Sequence, residues 1–406
     1  MMRALMAFPF SGLTTAVLTI TLGWLLLPVA AKAEIKVDID FPGGSGEVVE
    51  LDQAKPYLKL NPTDHPGKGW RCWWYVRLSG LEAGKTLTLD VGEAPWATPD
   101  RASYSTDGGR TWQHSEPGIR TGKRIRYQLT PESGEMRVAW GPPFVLADAT
   151  ALVEKAAAAS PGIETFSLCR TREDHDTPAL RSLPTNGVPD APLVWLNARQ
   201  HAWESGASWV AKGFAEWLTS DDPAATRLRQ TAEVVLVPIM DIDNVYRGAG
   251  GKNQTPQDHN RDWTSKPHWH AVEAAQREIR AAAEKNRMAI YVDLHNPSAS
   301  DRFPYFYVPP QEILSAPARE NLSAFLELAK EEMTGPLRFT GKTIVSGQKY
   351  DPKAWNAISK NWIAGLGTPA VAVTLETAWN TPSSHTEGYE AVGRQLGRAI
   401  IRYLER

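Results

Sequence analysis

The sequence is organised around one segment, Asn197-Ala198-Arg199-Gln200-His201-Ala202-Trp203-Glu204-Ser205. An apolar run over residues 192–196 precedes it, and an amphipathic pattern over residues 207–218 follows it. This order predicts a buried strand, a turn and a helix. His201 and Glu204 are three residues apart at the junction, so a first helical turn brings both side chains towards one point. An imidazole and a carboxylate are usual ligands of a catalytic zinc ion, although each residue also suits a helix N-terminus without a metal.

Two patterns divide the chain around this segment. Over residues 34–150, short β-rich runs alternate with turn sequences such as Asp107-Gly108-Gly109, which is typical of a β-sandwich. Over residues 151–406, strand-like runs alternate with helical ones, which is typical of an α/β domain. We therefore predict an α/β domain with a mixed, mainly parallel sheet and flanking helices, preceded by an all-β sandwich domain.

The first 33 residues have the pattern of a secretory signal peptide. Arg3 is the only charge before a long apolar run, and Ala31-Lys32-Ala33 places small residues where a signal peptidase cleaves. The alternative is an uncleaved anchor helix, because the run approaches membrane-spanning length. We expect cleavage, and an exported protein, periplasmic or secreted, that has no membrane span afterwards.

Composition excludes some classes of partner. The chain of 406 residues has a formal net charge of −2, which becomes −4 without the signal segment. This charge is too small to indicate a nucleic-acid partner. An exported protein could join Cys72 and Cys169 in a disulfide or keep two buried thiols.

Four aromatic residues, Trp70, Trp73, Trp74 and Tyr75, lie close together in a predicted strand over residues 70–78. Alternation along a strand sends such side chains to both faces. Core packing or docking against the following domain is favoured over a carbohydrate-binding face.

Two further predicted strands end in polar residues suited to the same zinc site. His295 ends one of them and is the natural third ligand, and Asp293 before it could orient its imidazole. Glu376 ends the other, and its carboxylate could take a proton from water and deliver it to a leaving amine. Ligands bind beyond the carboxyl ends of parallel strands. Alone, however, either residue would be explained by a core hydrogen bond or a salt bridge.

Three more polar residues would complete a site for peptide C-termini. Guanidinium binds a free α-carboxylate through paired, charge-assisted hydrogen bonds, which suits the pair Asn260-Arg261. Another arginine near the metal, for which Arg247 is the candidate, could stabilise the oxyanion of a tetrahedral intermediate. In isolation these residues would be surface groups.

Taken together, these motifs resemble those of the zinc metallocarboxypeptidases, most closely the cytosolic carboxypeptidase, or deglutamylase-like, branch. The similar segments cover nearly the whole mature chain: Trp73-Trp74-Tyr75-Val76-Arg77, residues 198–209, Asp258-His259-Asn260-Arg261-Asp262-Trp263, Asp293-Leu294-His295 and Thr374-Leu375-Glu376. The resemblance implies one zinc ion per chain, an N-terminal β-sandwich and a carboxypeptidase-like α/β domain. By position, the resemblance implies that His201, Glu204 and His295 bind the zinc ion and that Glu376 is the general base and acid. It also implies that Asn260 and Arg261 bind the terminal carboxylate of the substrate and that Arg247 polarises the scissile carbonyl.

The chain departs from the family pattern at three places. Asp241-Ile242-Asp243-Asn244 replaces the usual Asn-Pro-Asp-Gly before Arg247, and His259 replaces a leucine. The tyrosine that commonly closes over the substrate has no clear counterpart in this sequence, and Tyr350 is the candidate for this role.

The resulting hypothesis is a zinc-dependent metallocarboxypeptidase that hydrolyses the C-terminal peptide or isopeptide bond of peptides or proteins through a zinc-activated water. The alternatives are a cell-wall peptide amidase or carboxypeptidase, and a catalytically weak binding protein with a tryptophan-rich sandwich. The sequence leaves the preferred side chain, the natural substrate and the oligomeric state open.

Overall fold

The computed structural model describes residues 34–94, 98–188, 190–346 and 352–406. The predicted signal segment and Tyr350 lie outside the described residues. Residues Glu34–Arg406 form one compact unit. None of the described helices is long and apolar enough to cross a membrane.

The N-terminal region is built from two five-stranded sheets. The strands are β1 (Lys36–Asp38), β2 (Glu47–Asp52), β3 (Tyr57–Asn61), β4 (Tyr75–Ser79), β5 (Leu87–Gly92), β6 (Ser103–Ser105), β7 (Gln113–His114), β8 (Ile119–Thr121), β9 (Arg124–Leu129) and β10 (Glu135–Ala139). The sheet orders are β1-β4-β10-β6-β7 and β2-β3-β5-β9-β8. Alternation explains how β9 buries one face: Ile125, Tyr127 and Leu129 enter a core shared by both sheets, and Arg126 faces solvent.

The remainder forms one eight-stranded sheet with helices. The strands are β11 (Ile163–Arg170), β12 (Asp176–Ser182), β13 (Leu193–Ala198), β14 (Glu233–Val237), β15 (Met288–His295), β16 (Tyr305–Val308), β17 (Thr343–Val345) and β18 (Val371–Glu376). The helices are α1 (Leu146–Ala159), α2 (Ser205–Leu218), α3 (Pro223–Thr231), α4 (Ile242–Arg247), α5 (His270–Glu284), α6 (Ala316–Glu332), α7 (Pro352–Asn356), α8 (Ser359–Ala364) and α9 (Thr386–Leu404).

The order of this sheet is β11-β12-β14-β13-β15-β18-β16-β17. Its four central strands, β14, β13, β15 and β18, are parallel, and β12 and β16 join them antiparallel. The central strands are apolar because both faces are covered. This architecture confirms the predicted fold class.

Helices α2 and α9 pack unusually closely. A Cβ atom on Gly213 would collide with the carbonyl oxygen of Glu390, and one on Gly393 would collide with that of Val210. Glycine is therefore required for the two backbones to touch, and this contact fixes α2, the helix that follows the segment 197–205.

The aromatic cluster packs the interior, as favoured from the sequence. Trp73, Trp74 and Tyr75 are buried in the core of the N-terminal region. The predicted strand begins only at Tyr75, so Trp70 lies in the preceding loop, where it is half-buried. Cys72 and Cys169 are both free thiols.

Tryptophans from both parts of the chain share this core. Trp203 and Trp379 pack against Trp140, with ring centroids 5.1 Å and 4.4 Å apart. The predicted domain boundary at residue 150 falls inside α1, and the division into two domains stays a prediction.

Asp90 on β5 provides a test of how the N-terminal region is stabilised. Its buried carboxylate accepts hydrogen bonds from Nε of Arg124 at 2.6 Å, Nε of Arg126 at 2.8 Å and the Tyr57 hydroxyl at 3.1 Å. Burial alone would raise the pKa of Asp90, but these donors outweigh burial and lower it. A lowered carboxyl pKa stabilises the fold above the unfolded pKa of about 4, and this contribution is lost as the pH falls through the folded value.

We expect Asp90→Asn to lower the free energy of unfolding at pH 7 by about 1.5 to 3 kcal/mol, because charged hydrogen bonds are lost. The difference from wild type shrinks below about pH 4. Urea titrations at pH 7 and pH 3.5 measure it, with the exposed Asp40→Asn as control, which we expect to change stability by less than about 0.5 kcal/mol. Equal stability of wild type and Asp90→Asn at pH 7 would contradict this account.

Candidate active site

Three strand ends meet at one edge of the α/β sheet. The register of β13 and β15 pairs Asn197 with Asp293, and that of β15 and β18 pairs His295 with Glu376. The carboxyl ends of parallel strands share one edge, so the loops that follow them lie side by side. Residues 199–204 form the loop after β13, directly before α2.

A buried arginine holds this loop in shape. Arg199 is 2% exposed and has a left-handed backbone conformation with φ of 63°, which is uncommon outside glycine. Its guanidinium donates to the carbonyl oxygens of Ala202 and Phe144. Burial lowers the pKa of Arg199 to about 9. The fixed loop directs His201 and Glu204 to the same point.

His201, Glu204 and His295 form a buried cluster. The Nδ1 atom of His201 lies 2.8 Å from Oε1 of Glu204, and Nδ1 of His295 lies 2.6 Å from Oε2 of the same carboxylate. One ligand atom from each residue lies within 4.8 Å of the others. The structure thus brings together the three residues that the sequence predicted as zinc ligands.

The residues present fit a zinc ion. Two imidazole nitrogens and one carboxylate are a donor set of catalytic zinc sites, which keep a fourth position open. Ligand atoms around a tetrahedral zinc stand roughly 3.4 Å apart, slightly further than Glu204 stands from each imidazole. The Oε2 atom of Glu376 is buried without a hydrogen-bond partner among the described residues, which is expected of a group that faces a ligand.

Each imidazole has a second carboxylate near its outer ring nitrogen, within hydrogen-bond distance for His295 and slightly further away for His201. Oδ2 of Asp293 lies 2.8 Å from Nε2 of His295, and Oδ1 of Asp258 lies 3.5 Å from Nε2 of His201. Contacts to the outer ring nitrogens leave both Nδ1 atoms facing Glu204. The contact between Asp293 and His295 confirms the sequence prediction, whereas Asp258 was not predicted in this position.

The charge balance of the cluster favours a cation. Burial alone would raise the pKa of Glu204, but His201 and His295 hold it well below its ordinary value. Burial opposes protonation of His295, yet Asp293 and Glu204 raise its pKa. Asp258 is kept anionic against burial by His201. Three buried carboxylates thus surround two imidazoles, and this excess of negative charge suits a divalent ion.

Glu376 borders a cavity beside the cluster. The cavity has a volume of about 480 Å³, which is within the usual range for small-ligand sites. Its lining includes His201, Asn260, Arg261 and Glu376. Burial raises the pKa of Glu376, and His295 partly opposes this effect. A raised carboxyl pKa suits a group that accepts and releases a proton.

Asn260 and Arg261 lie together on the cavity wall, in a turn of 3-10 helix (His259–Arg261). The side-chain oxygen of Asn260 accepts a hydrogen bond from the backbone N–H of Ser359 at 3.1 Å, and its Nδ2 lies 3.3 Å from Nε2 of His295. Nη1 of Arg261 donates to the Asn260 carbonyl at 2.9 Å. The predicted carboxylate clamp is therefore next to the predicted metal ligands.

Arg247 is not brought to this cavity. It is the last residue of α4, a helix whose N-cap is Asp241. Its guanidinium pairs with Glu173, and Arg247 is not among the described residues that line the cavity. The side chain of Asp241 accepts a hydrogen bond from the backbone N–H of Asn244 and so caps this helix.

Several residues of the cavity lining were not predicted as site residues. They include Trp70, Lys252, Tyr305, Tyr307 and Lys360. Trp70 was noticed only as part of the aromatic cluster, and the two tyrosines belong to β16, a strand that was not predicted. The one local signal for Lys252 is its position directly after a glycine-rich turn, and nothing local marks Lys360.

A second group of metal-ligating side chains, Glu173, His175 and Asp243, has charged partners of its own. Glu173 pairs with Arg247 and, at 3.1 Å, with Lys68. Nδ1 of His175 lies 2.9 Å from Asp243. This group is therefore a network of ion pairs, and we assign no metal to it.

A sequence model of the zinc carboxypeptidase family matches residues 149–377. The chain belongs to the zinc carboxypeptidase family. This match covers all three residues of the candidate metal cluster, together with Glu376, and it confirms the family resemblance of the motifs.

Relatives of this zinc carboxypeptidase are known in bacteria and animals. An uncharacterized protein of Zymomonas mobilis is 27% identical over 275 residues, which cover 65% of this chain and 68% of that protein. Human cytosolic carboxypeptidase 1 is 36% identical over 110 residues, which cover 26% of this chain and 9% of the human protein. The similar part is thus a small fraction of the human protein.

The fold is similar to that of a solved bacterial structure. A metallo-carboxypeptidase from Burkholderia cenocepacia superposes with a TM-score of 0.77 over 92% of this chain and 99% of that chain. The two sequences are 21% identical, so this similarity concerns the architecture, and it includes the N-terminal β-rich region.

Asp258 offers a test of the metal centre that leaves the three ligands intact. We expect Asp258→Asn to bind zinc about 10- to 100-fold more weakly than wild type, because the second partner of a ligating histidine tunes its basicity and orientation. Competition of the metal-free proteins against a chelator of known affinity measures this change. The matched control is the exposed Asp221→Asn, and equal affinities for wild type and Asp258→Asn would remove Asp258 from the site.

Proposed function

We propose that the protein is a zinc-dependent metallocarboxypeptidase that releases the C-terminal residue of peptides or proteins. The observation that carries this proposal is the convergence of His201, Glu204 and His295 beside a cavity that also holds Glu376 and Arg261. The family match supports the same class of chemistry. The signal-like N-terminal sequence supports action outside the cytoplasm, which we propose from the sequence alone.

Each cavity residue has a separate task in this proposal. Arg261 and Asn260 bind the free α-carboxylate of the substrate, which selects a chain end over an internal peptide bond. Glu376 accepts a proton from the attacking water and returns it to the amine of the leaving residue. The Oε2 atom of Glu376, buried without a partner among the described residues, is the group available for this transfer.

The candidate zinc ligands are His201, Glu204 and His295. When bound, zinc would lower the pKa of water and polarise a carbonyl group. Asp293 contacts Nε2 of His295 at hydrogen-bond distance, and Asp258 is the carboxylate nearest to Nε2 of His201, at 3.5 Å. Both carboxylates favour the tautomer that leaves Nδ1 available to the metal.

The clamp is tested with paired substrates. We expect wild type to release the last residue of blocked peptides with a free C-terminus and to cleave the corresponding C-terminal amides at least about 100-fold more slowly, because the amide lacks the charged hydrogen bonds to Arg261. Arg261→Gln should remove most of this difference. Mass spectrometry of peptide mixtures measures the rates of release from free and amidated C-termini. Cell-wall peptides are assayed separately in the same way.

The exposed Arg110→Gln serves as the control for this series, since it removes a guanidinium outside the cavity lining. Cleavage of free and amidated peptides at the same rate by wild type would refute the clamp. Faster release from cell-wall peptides than from linear peptides would favour the cell-wall alternative.

Lys360 points to the preferred side chain of the substrate. It is 2% exposed, lines the cavity, and its Nζ lies 5.4 Å from the centre of the Tyr307 ring. Burial lowers the pKa of Lys360 to about 7. A buried ammonium gains most from an anionic partner. We therefore propose that the cavity favours a C-terminal residue with an acidic side chain.

Lys360→Met should lower kcat/KM for a peptide ending in Glu by about 10- to 100-fold relative to one ending in Gln, because one charged hydrogen bond is lost. In wild type, the preference for Glu should fall as the pH rises through 7, since Lys360 is charged below its pKa and neutral above it. Measurements with both peptides from pH 6 to 8.5 follow this change. A preference for Glu that Lys360→Met leaves intact would exclude the assignment.

A further inference from the structure

The loop that carries Lys252 lies directly against the metal cluster. The backbone N–H of Trp203, a residue between the proposed ligands His201 and Glu204, donates to the carbonyl of Gly250 at 3.1 Å. Gly251 has φ of 78°, and a Cβ there would approach within 2.8 Å of the backbone nitrogen of Ala202. The loop therefore contacts the backbone of residues 201–204 without room for a side chain at Gly251.

The other side of this loop is bound by the N-terminal β-rich region. The backbone N–H of Gly251 donates to the carbonyl of Lys68 at 2.9 Å, and the N–H of Trp70 donates to the carbonyl of Lys252 at 3.0 Å. The Nζ of Lys252 lies 5.0 Å from the centre of the Trp70 ring, which is the geometry of a cation–π contact. Backbone and side chain of Lys252 are thus both positioned by this region.

The cations of the cavity fall into two groups. Arg261 adjoins Asn260, which accepts a hydrogen bond from Ser359 beside Lys360. Arg261 and Lys360 therefore lie in the part of the cavity that we propose binds the α-carboxylate and the side chain of the substrate's last residue. Lys252 lies on the loop that touches residues 201–204, and it lines the same cavity as Glu376. Lys252 is therefore the lysine on the side of the cavity next to the proposed metal ligands.

We propose that Lys252 stabilises the oxyanion that forms at the scissile carbonyl, and that Trp70 is the positioning residue that holds it there. This inference rests on the proposed function. It gives Lys252 the role that the sequence suggested for Arg247, whose guanidinium is paired with Glu173. It also makes the N-terminal β-rich region part of the active site.

The proposed step balances with groups already named. The oxygen of water forms a bond to the carbonyl carbon, one proton of that water passes to Glu376, and the π electrons of the carbonyl move to its oxygen. The ammonium of Lys252 donates a hydrogen bond to this new anion. On collapse, the carbon–nitrogen bond breaks and the amine leaves with the proton from Glu376. Lys252 keeps its own protons throughout.

Four variants distinguish this role of Lys252 from two alternatives, that Arg247 stabilises the oxyanion or that Lys252 binds the substrate carboxylate. They are Lys252→Met, Lys252→Arg, Arg247→Gln and, as the matched control, the exposed turn residue Lys123→Met. Each is compared with wild type for zinc content, Tm, kcat and KM on one blocked peptide. The same proteins are titrated with a phosphonate peptide analogue, whose anionic oxygens take the place of the oxyanion.

We expect Lys252→Met to lower kcat/KM by about 100- to 1000-fold, as for loss of one oxyanion donor. Affinity for the phosphonate analogue should fall at least tenfold, while KM, zinc content and Tm stay close to wild type. Lys252→Arg should recover at least a tenth of the activity, and Lys123→Met should match wild type.

Three results would overturn the inference. The first is a Lys252→Met enzyme with unchanged kcat and phosphonate affinity, and the second is a loss in kcat for Arg247→Gln that Lys252→Met does not show. The third is a rise in KM alone for Lys252→Met, with lost discrimination between free and amidated peptides, which would make Lys252 part of the carboxylate clamp. If wild type releases no C-terminal residue, the proposed function fails first. Should Lys252→Met not fold, Lys252→Gln measures the same quantities.

Trp70 is tested separately as a positioning residue. Trp70→Phe keeps a ring beneath Lys252, whereas Trp70→Leu removes it. We expect Trp70→Leu to lower kcat more than tenfold with little change in KM, and Trp70→Phe to restore most of it. A merely structural role would instead lower Tm and activity together in both variants. Equal kcat in Trp70→Leu and wild type would exclude the positioning role.

Discussion

The site depends on one fully buried carboxylate, that of Asp293. A buried charge is tolerated only where hydrogen bonds replace the lost water. Oδ1 of Asp293 accepts from Asn197 at 2.8 Å, and Oδ2 accepts from Gln200 at 2.6 Å and Ser359 at 2.9 Å. Oδ2 also lies 2.8 Å from Nε2 of His295. Three separate segments therefore have to meet at one point, and this requirement holds the end of β13 with its following loop and the start of α8 against the end of β15.

The second constraint is the aromatic packing of Trp140. This tryptophan follows β10 in the N-terminal region and contacts Trp203 and Trp379. Trp203 lies between two proposed zinc ligands, and Trp379 lies three residues after Glu376. Packing against the β-rich region thus holds in place the loop that contains His201 and Glu204 and the segment that follows Glu376.

The sequence predicted those helices and strands whose pattern is contained in neighbouring residues. The sequence predicts helices over residues 146–159, which are rich in alanine, and over residues 270–284, and the structure places α1 and α5 at the same bounds. The register that sets His295 opposite Glu376 follows from two apolar strands that both end in a polar residue. The strands β12, β16 and β17 were not predicted. Two of them, β16 and β17, are short, and their pairing depends on partners far along the chain.

The sequence by itself determined the family, the order of the central strands and the helices between them, and the residues at the ends of those strands. These depend on periodicity and on motifs of a few residues, which are contained in adjacent positions. Only the tertiary structure decided which cation reaches the metal side of the cavity. Arg247 and Lys252 are five residues apart, and the choice between them rests on the capped helix α4 and on hydrogen bonds to Lys68 and Trp70, more than 180 residues earlier. Such long-range contacts leave no pattern among neighbouring residues, since the energy that selects them arises only when the chain is folded.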